Sequence, residues 1–215
     1  IYNLAAVPDF IIFKCQDQAN NWAVYHSSNN PGSGRLKLNS DAANTNDYAA
    51  DFWNSTAATN TLIHLGGENS VNASAKKIMA YIWTAIPGYS AFGEYTGNGD
   101  THDGPAIMTG FLPAMVMVKS KTNVANWNIF DNAYDGRNSQ LKNFTNNQKG
   151  NYLRGNLSSG INSDDGTGTY GIAMDFTSCG FKLRGGSTTN DVNDTGEEYI
   201  YCAWAHMPNL YARGA

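Results

Sequence analysis

Carboxylates are the first candidates for chemistry in this chain, because paired acidic side chains catalyse glycoside hydrolysis. The chain has only four glutamates: Glu68, Glu94, Glu197 and Glu198. The motif Glu-x-Asp-x-x-Glu, which lines such carboxylates along one strand in some glucanases, is absent from the sequence. Glu197 and Glu198 are adjacent, so on a strand their side chains point to opposite faces. The sequence therefore predicts that the protein is not an enzyme, with glycan hydrolysis as the weakest alternative.

Metal ligands are the second kind of chemistry to consider. Asp191, Asn193 and Thr195 begin like a calcium-binding EF-hand loop, but its twelfth position is Cys202 where that loop needs a glutamate. Asp and Asn in such loops also bond to nearby backbone amides in ordinary turns. The histidines lack the spacing of a metal site: His26, His64, His102 and His206. We expect no cofactor and no metal, with calcium as the alternative.

A mixed group of aromatic and polar side chains is the main candidate for ligand binding. The residues are Tyr152, Arg154, Asp164, Asp165 and Tyr170, in a stretch rich in Asn, Ser and Gly. Aromatic rings offer a stacking surface, while the arginine fork and the carboxylates offer donors and acceptors. This combination predicts contact with a host-surface glycan or with a protein neighbour. For any single ring, packing at the rim of a β-sandwich is the competing interpretation.

Composition excludes several functional classes. The net charge is −4 and no basic run occurs, whereas a nucleic-acid surface needs clustered Lys and Arg. No apolar run is long enough to insert into a membrane. The 27 asparagines and 22 glycines favour turns and short strands over helices. The chain begins at Ile1 without a methionine or signal-peptide pattern, so we expect part of a longer or processed polypeptide.

One stretch of the chain occurs twice. Residues 7–25 match residues 112–130 at a constant shift of 105, which aligns Pro8 with Pro113 and Trp22 with Trp127. The shift extends to Leu36-Lys37 and Leu141-Lys142. The closing stretches, 78–87 and 199–208, match at a shift of 121, so the second copy has 16 extra residues. We assign them to a loop at 143–169, because surface loops tolerate insertions.

The repeat predicts an all-β fold of two tandem antiparallel β-sandwiches, made by an internal duplication. The first unit spans residues 1–91 and the second spans residues 92–215. Short strands between Asn- and Gly-rich turns are typical of sandwiches and barrels, and among them we expect strands at 48–53 and 61–65. The expected core tryptophans form two matched pairs: Trp22 with Trp127, and Trp83 with Trp204.

Residues 92–97 read as an opening strand of the second unit that has no counterpart before Ile1. The first unit is thus expected to have an incomplete sheet edge. Uncovered edges with few charges favour pairing with another chain. We therefore expect a homo-oligomer or array, with this edge completed by another chain or by upstream residues.

Several segments of the second unit resemble a known module. They are Tyr95–Gly99, Gly104–Lys119, Trp127, Asp131, Gly136-Arg137, Gly180-Phe181, Asn193 and Tyr199–Trp204. This pattern is similar to a concanavalin-like (LamG or jelly-roll) module that recurs in marine bacteriophage tail, fibre and other virion surface proteins. The first unit matches less well, with His26 in place of Asp131 and no Gly-Phe pair.

The resemblance implies a jelly-roll sandwich and a virion or extracellular location. It implies a non-enzymatic structural or adhesion protein with a scaffolding or host-attachment role, whose partners are other virion subunits. A lectin-like domain that binds a carbohydrate receptor is the alternative.

Overall fold

The computed structural model describes residues 6–45, 49–100, 103–133, 151–163, 172–184 and 192–206. These residues form thirteen strands and two short helices. The first half contains β1 (Phe10–Cys15), β2 (Ala23–His26), β3 (Leu36–Lys37), α1 (Ala49–Trp53), α2 (Asn69–Asn72), β4 (Ile78–Trp83) and β5 (Ser90–Thr96). The second half contains β6 (Ala106–Met108), β7 (Pro113–Ser120), β8 (Asn128–Asp131), β9 (Asn151–Arg154), β10 (Asn162–Ser163), β11 (Ala173–Thr177), β12 (Gly180–Arg184) and β13 (Glu198–Ala205).

The strands form three antiparallel sheets. Sheet I has the order β3-β2-β1-β4, sheet II the order β10-β9-β8-β7-β13-β5, and sheet III the order β11-β12-β6. The described part of the chain is therefore nearly all β, as the sequence predicted. The expected opening strand at 92–97 is confirmed as β5, which pairs with β13.

Sheets I and II pack face to face and share a core. This cluster joins Phe10, Val24 and Leu36 of sheet I to residues of the second half: Met117, Trp127, Ile200 and Cys202. The expected units thus share a core, and the boundary that we placed between residues 91 and 92 falls inside β5.

Each of these two sheets is also covered on its other face. Ile11 and Phe13 pack against the helical segment through Phe52, Trp53 and Val71. Side chains alternate along a strand, so the apolar run 10–13 in β1 supplies both faces of sheet I. Sheet III covers the far face of sheet II in a third cluster with Val116, Val118, Phe181, Leu183 and Tyr199. The layers are therefore helices, sheet I, sheet II and sheet III.

The central strands of sheets I and II have the same register. Ile12 lies opposite Val24 and Tyr81 in sheet I, and Met117 lies opposite Ile129 and Cys202 in sheet II. The partners differ by 105 (117−12 and 129−24) and by 121 (202−81), which are the shifts of the sequence repeat. Every Cα pair that β1 makes with β2 and β4 recurs in this way in β7.

The repeated Asn-Trp pair opens an equivalent hydrogen-bond network in each half. The Trp22 N–H donates to Asn39 Oδ1 (3.0 Å), and Asn39 Nδ2 donates to Asn21 Oδ1 (3.0 Å). The Trp127 N–H donates to Asn156 Oδ1 (3.0 Å), and Asn156 Nδ2 donates to Asn126 Oδ1 (2.9 Å). Each asparagine thus ties the segment after β3 or β9 to the start of β2 or β8.

This network corrects the expected alignment of the two halves. Leu36 pairs with Val24, and Leu153 pairs with Ile129, so Leu153 stands where we expected Leu141. At this position the two halves differ by 117 residues (153−36) instead of 105. Therefore 12 of the 16 extra residues (117−105) lie between β8 and β9. Residues 141 and 142 lie outside the described residues. The expected loop at 143–169 is described only over 151–163, where it contains β9 and β10.

Asn156→Ala is expected to lower the free energy of unfolding by about 1–2 kcal/mol, because it leaves the Trp127 N–H without its acceptor. Urea denaturation measures this loss. Asn60→Ala is the matched control, since Asn60 is exposed in a turn. Equal losses in the two variants would contradict the assigned network.

The expected strand at 48–53 is wrong, because residues 49–53 form α1. Phe52 and Trp53 are adjacent, and both are buried in the same cluster. Successive side chains of a strand point to opposite faces, whereas a helical turn directs both toward sheet I. The Trp53 Nε1–H also donates to the Gly34 carbonyl (2.8 Å).

The expected strand at 61–65 is also wrong, because these residues belong to none of the three sheets. The Thr59 N–H donates to the Leu62 carbonyl (2.8 Å), which closes a turn.

The four expected core tryptophans differ in burial. Trp127 is 1% exposed, and its Nε1–H donates to the Lys37 carbonyl of β3 (2.9 Å). Trp22, Trp83 and Trp204 are half-buried, and of these Trp83 and Trp204 pack against the core between sheets I and II. Trp83 and Trp204 contact each other edge to face, with ring centroids 6.2 Å apart. The expected pairs thus have equivalent backbone positions but unequal burial.

Candidate functional site

The structure brings together only part of the expected ligand-binding group. Tyr152 is 8% exposed, and its ring packs in the core at 5.9 Å from Phe130. Arg154 is half-buried, with its guanidinium 5.7 Å from the Tyr152 ring. Because that ring faces the core, it is not a stacking platform for a sugar in this arrangement. Asp164, Asp165 and Tyr170 lie outside the described residues.

His26 is a buried titratable group between sheets I and II. Its Nε2 lies 3.1 Å from the Tyr201 carbonyl, and its Nδ1 accepts the Ser28 N–H at 3.1 Å. Burial lowers the pKa of His26 to about 4, against smaller opposing effects of the Tyr201 carbonyl, Asp9 and Glu94. The ring is therefore neutral near pH 7, with Nε2 as the donor, and it bridges the two sheets.

Buried cations have a similar role elsewhere. Lys119 is fully buried and donates to the carbonyls of Ser120 (2.8 Å) and Asp41 (3.3 Å). Lys121, which directly follows β7, lies 2.7 Å from Glu94 of β5 and 3.0 Å from Glu198 of β13. Burial lowers the pKa of Lys121, but the bonds to these two carboxylates outweigh it and leave the pKa raised. These charges hold strands and layers together.

The expected calcium loop is described only in part, because Asp191 lies outside the described residues. Asn193 Oδ1 accepts the Asn98 N–H (3.0 Å), and Asn193 Nδ2 donates to the Asp100 carbonyl (2.9 Å). The side chain therefore joins two loops, which is ordinary turn chemistry. Within the described ranges, no group of three or more His, Cys, Asp or Glu residues is placed to hold a metal ion.

The outer edge of β4 is the candidate functional site. β4 is the last strand of sheet I, whereas its counterpart β13 lies between β7 and β5 in sheet II. The Gln16 N–H donates to the Lys77 carbonyl (2.9 Å), so the backbone of Lys77 faces β1. Backbone polar groups alternate in direction along an antiparallel strand. Those of Ile78, Ala80 and Ile82 therefore point outward, and no strand of the described part lies beside them.

The side chains at this edge are also uncovered. Met79 is 39% exposed and Tyr81 is 43% exposed, whereas their counterparts Ile200 and Cys202 are each 1% exposed. In sheet II these counterparts pack in the core shared with sheet I, and β5 pairs with β13 along its outer side. Sheet I has no such strand in the described residues, so a partly apolar strip stays in contact with solvent.

The other sheet edges of the described part carry features that discourage strand pairing. β3 and β10 have two residues each, β6 has three and follows Pro105, β5 carries Glu94 and β11 carries Asp175. Short, charged or proline-flanked edges resist the addition of another strand. β4 has six residues without charge, proline or glycine. It is the edge best suited to accept a further strand.

The sequence indicated this edge but not its residues. The missing counterpart of residues 92–97 predicted an incomplete first sheet. The uncharged run Ile78–Trp83 is the additional signal, because apolar strands without charge or proline pair readily. The individual exposures of Met79 and Tyr81 required the structure.

A family model described as a domain of unknown function matches residues 2–208. No curated protein and no solved structure matches the chain. Among the described residues, neither helix has the length and apolar character needed to cross a membrane.

Proposed function

This chain belongs to the DUF7483 family, and from that premise we propose that it is a non-enzymatic structural module of a virion surface. The module assembles with other subunits through the open edge of β4. The observation that carries the proposal is this edge: three outward-facing backbone positions beside a strip that contains the exposed Met79 and Tyr81. The resemblance of Gly104–Lys119 to a phage virion module supports the location.

We also propose that the two halves arose by tandem duplication of a concanavalin-like unit. The repeated register of β1 and β7 supports it, as does the Asn-Trp network that Asn39 and Asn156 close. Each unit contributes one sheet to the shared core. Among the described residues, the second unit has a strand in the position of β5 and the first unit has none.

Glycan binding is the weaker alternative. It relies on the group around Tyr152, and that ring packs into the core. Arg154 keeps a partly exposed guanidinium, so a role in contacting a polar partner stays part of the alternative.

We expect the purified chain to self-associate, with a mass above the 23.3 kDa of one copy in sedimentation experiments. Tyr81→Lys is expected to return the mass to 23.3 kDa, because a charge at a strand edge opposes pairing. Val124→Lys is the matched control, since Val124 is 64% exposed outside any strand. A wild-type chain that stays monomeric at every concentration and binds sugars on a glycan array would contradict the proposal and favour the lectin.

A further inference from the structure

We infer that β4 pairs with β4 of a second copy of this chain, antiparallel and about a two-fold axis through Ala80. The inference rests on the proposed function and names the partner and the register. The outward-facing residues form a self-complementary row: Ile78 lies opposite the partner's Ile82, and Ala80 lies opposite the partner's Ala80. Such a pairing adds about six backbone hydrogen bonds, two for each opposed pair of this kind.

The same register matches the exposed side chains to each other. Met79 lies opposite the partner's Tyr81, and Tyr81 lies opposite the partner's Met79. These are non-hydrogen-bonded positions, where opposed Cα atoms are only about 4.5 Å apart and side chains approach closely. A thioether beside an aromatic ring is a favourable contact. The two large side chains that β4 exposes would thus cover each other.

On the opposite face the register places aliphatic side chains together. Ile78 meets the partner's Ile82 beside the two-fold axis, where the small Ala80 leaves room for close approach. Ile78 and Ile82 are only half-buried in one copy, although they pack against the core of sheet I. The pairing therefore extends that core across the axis.

The charges at the ends of β4 favour a second copy of this chain. Lys76 and Lys77 are exposed just before β4, and Asp9 lies at its other end, where its carboxylate accepts the Ala85 N–H (2.7 Å). In the two-fold pairing, Lys77 lies opposite the partner's Trp83, and the lysines of the two copies lie at opposite ends of the paired strands. No like charges face each other, which would destabilise the pair. A lysine over an indole ring is also favourable.

One strand from each copy makes a small contact. Interfaces of this size fall below those of permanent complexes. We therefore expect a reversible dimer whose mass rises with concentration, and the experiment uses the full chain over a wide concentration range.

Ala80→Pro tests the backbone pairing. Proline removes the outward N–H of residue 80. Sheet I does not use that group, because the backbone polar groups of Lys77, Met79 and Tyr81 are the ones that face β1. Proline is tolerated on an edge strand whose N–H faces solvent. We expect the wild-type mass to approach twice 23.3 kDa and that of Ala80→Pro to stay at 23.3 kDa, with unchanged circular dichroism. A folded Ala80→Pro variant that dimerises like the wild type would overturn the inference.

Cysteine cross-linking tests the register without a proline. Ala80→Cys is expected to form a disulfide-linked dimer on mild oxidation, because opposed Cα atoms about 5.5 Å apart lie within disulfide range. Met79→Cys and Tyr81→Cys are expected to cross-link when mixed and much less when oxidised separately. The wild type is the control, since its Cys15 and Cys202 are buried and Cys179 is half-buried.

The outcomes separate this inference from the proposed function. An assembly that persists with none of these cross-links would overturn the β4 pairing and leave the structural role in place. A chain that stays monomeric but binds a peptide with the sequence of Ser90–Thr96 would show that the edge takes a β5-like strand, which also overturns it. A monomer that binds no strand would contradict both.

Discussion

Trp127→Ala is expected to lower the free energy of unfolding by about 3–5 kcal/mol, the usual cost of truncating a buried aromatic side chain. Trp127 is 1% exposed in the cluster between sheets I and II. Its Nε1–H also holds the Lys37 carbonyl at 2.9 Å, so the truncation removes a bond between the sheets as well as packing. Urea denaturation of the purified chain measures the loss.

Trp22→Ala is the matched control, because Trp22 has the equivalent backbone position in the other half. Its N–H donates to Asn39 Oδ1 as that of Trp127 donates to Asn156 Oδ1. Its ring is half-buried, with Lys14 Nζ at 5.4 Å from the ring centroid. We expect a loss of about 1–2 kcal/mol, since less apolar surface leaves water on folding. Similar losses for the two variants would show that burial does not distinguish them.

The free energy of unfolding is expected to fall by up to about 3 kcal/mol as the pH falls from about 6.5 to about 4, because of His26. Burial lowers the pKa of His26 to about 4 in the folded chain, and Lys121 acts in the same direction. The unfolded chain therefore takes up the proton first as the pH falls, and protonation favours unfolding. The contribution is complete above the unfolded pKa and is lost through this window.

His26→Gln is expected to flatten this part of the pH profile, although it also lowers stability at neutral pH through the lost contact with the Tyr201 carbonyl. His206→Gln is the control, because His206 is exposed and its removal leaves the buried group in place. Denaturation midpoints at a series of pH values between about 4 and 7 give the profile. An equally steep profile in His26→Gln would assign the acid sensitivity to other groups.

The repeat in the sequence predicted two similar β units, and the structure gives the same hairpin register to both halves. Pairing within β1-β2 and β7-β8 depends on alternating side chains and on a short turn, which are local properties of the chain. Equal spacing from Pro8 to Trp22 and from Pro113 to Trp127 therefore leads to equal register. The abundance of Asn and Gly likewise determined that strands and turns, with little helix, form the described part.

The same local patterns failed where distant contacts decide the structure. Residues 49–53 were predicted as a short strand, but Phe52 and Trp53 both fill one cluster against sheet I, and a helical turn allows these adjacent side chains to do so. The alignment of Leu36 with Leu141 failed because an insertion moved the structural partner to Leu153. A gap-free sequence match over two residues does not show which residues pair between neighbouring strands.

The candidate site shows the same division. The absence of a counterpart to residues 92–97 was visible in the sequence, and it predicted an open edge in the first half. The exposure of Met79 and Tyr81 follows from tertiary structure, because β5 pairs with β13 in sheet II and no described strand lies beside β4 in sheet I. Likewise, Trp127 is buried and Trp22 is not, because β3 reaches Trp127 from a position 90 residues away in the chain (127−37). Local sequence determined the strands, whereas the packing of distant segments decided which of their surfaces remain uncovered.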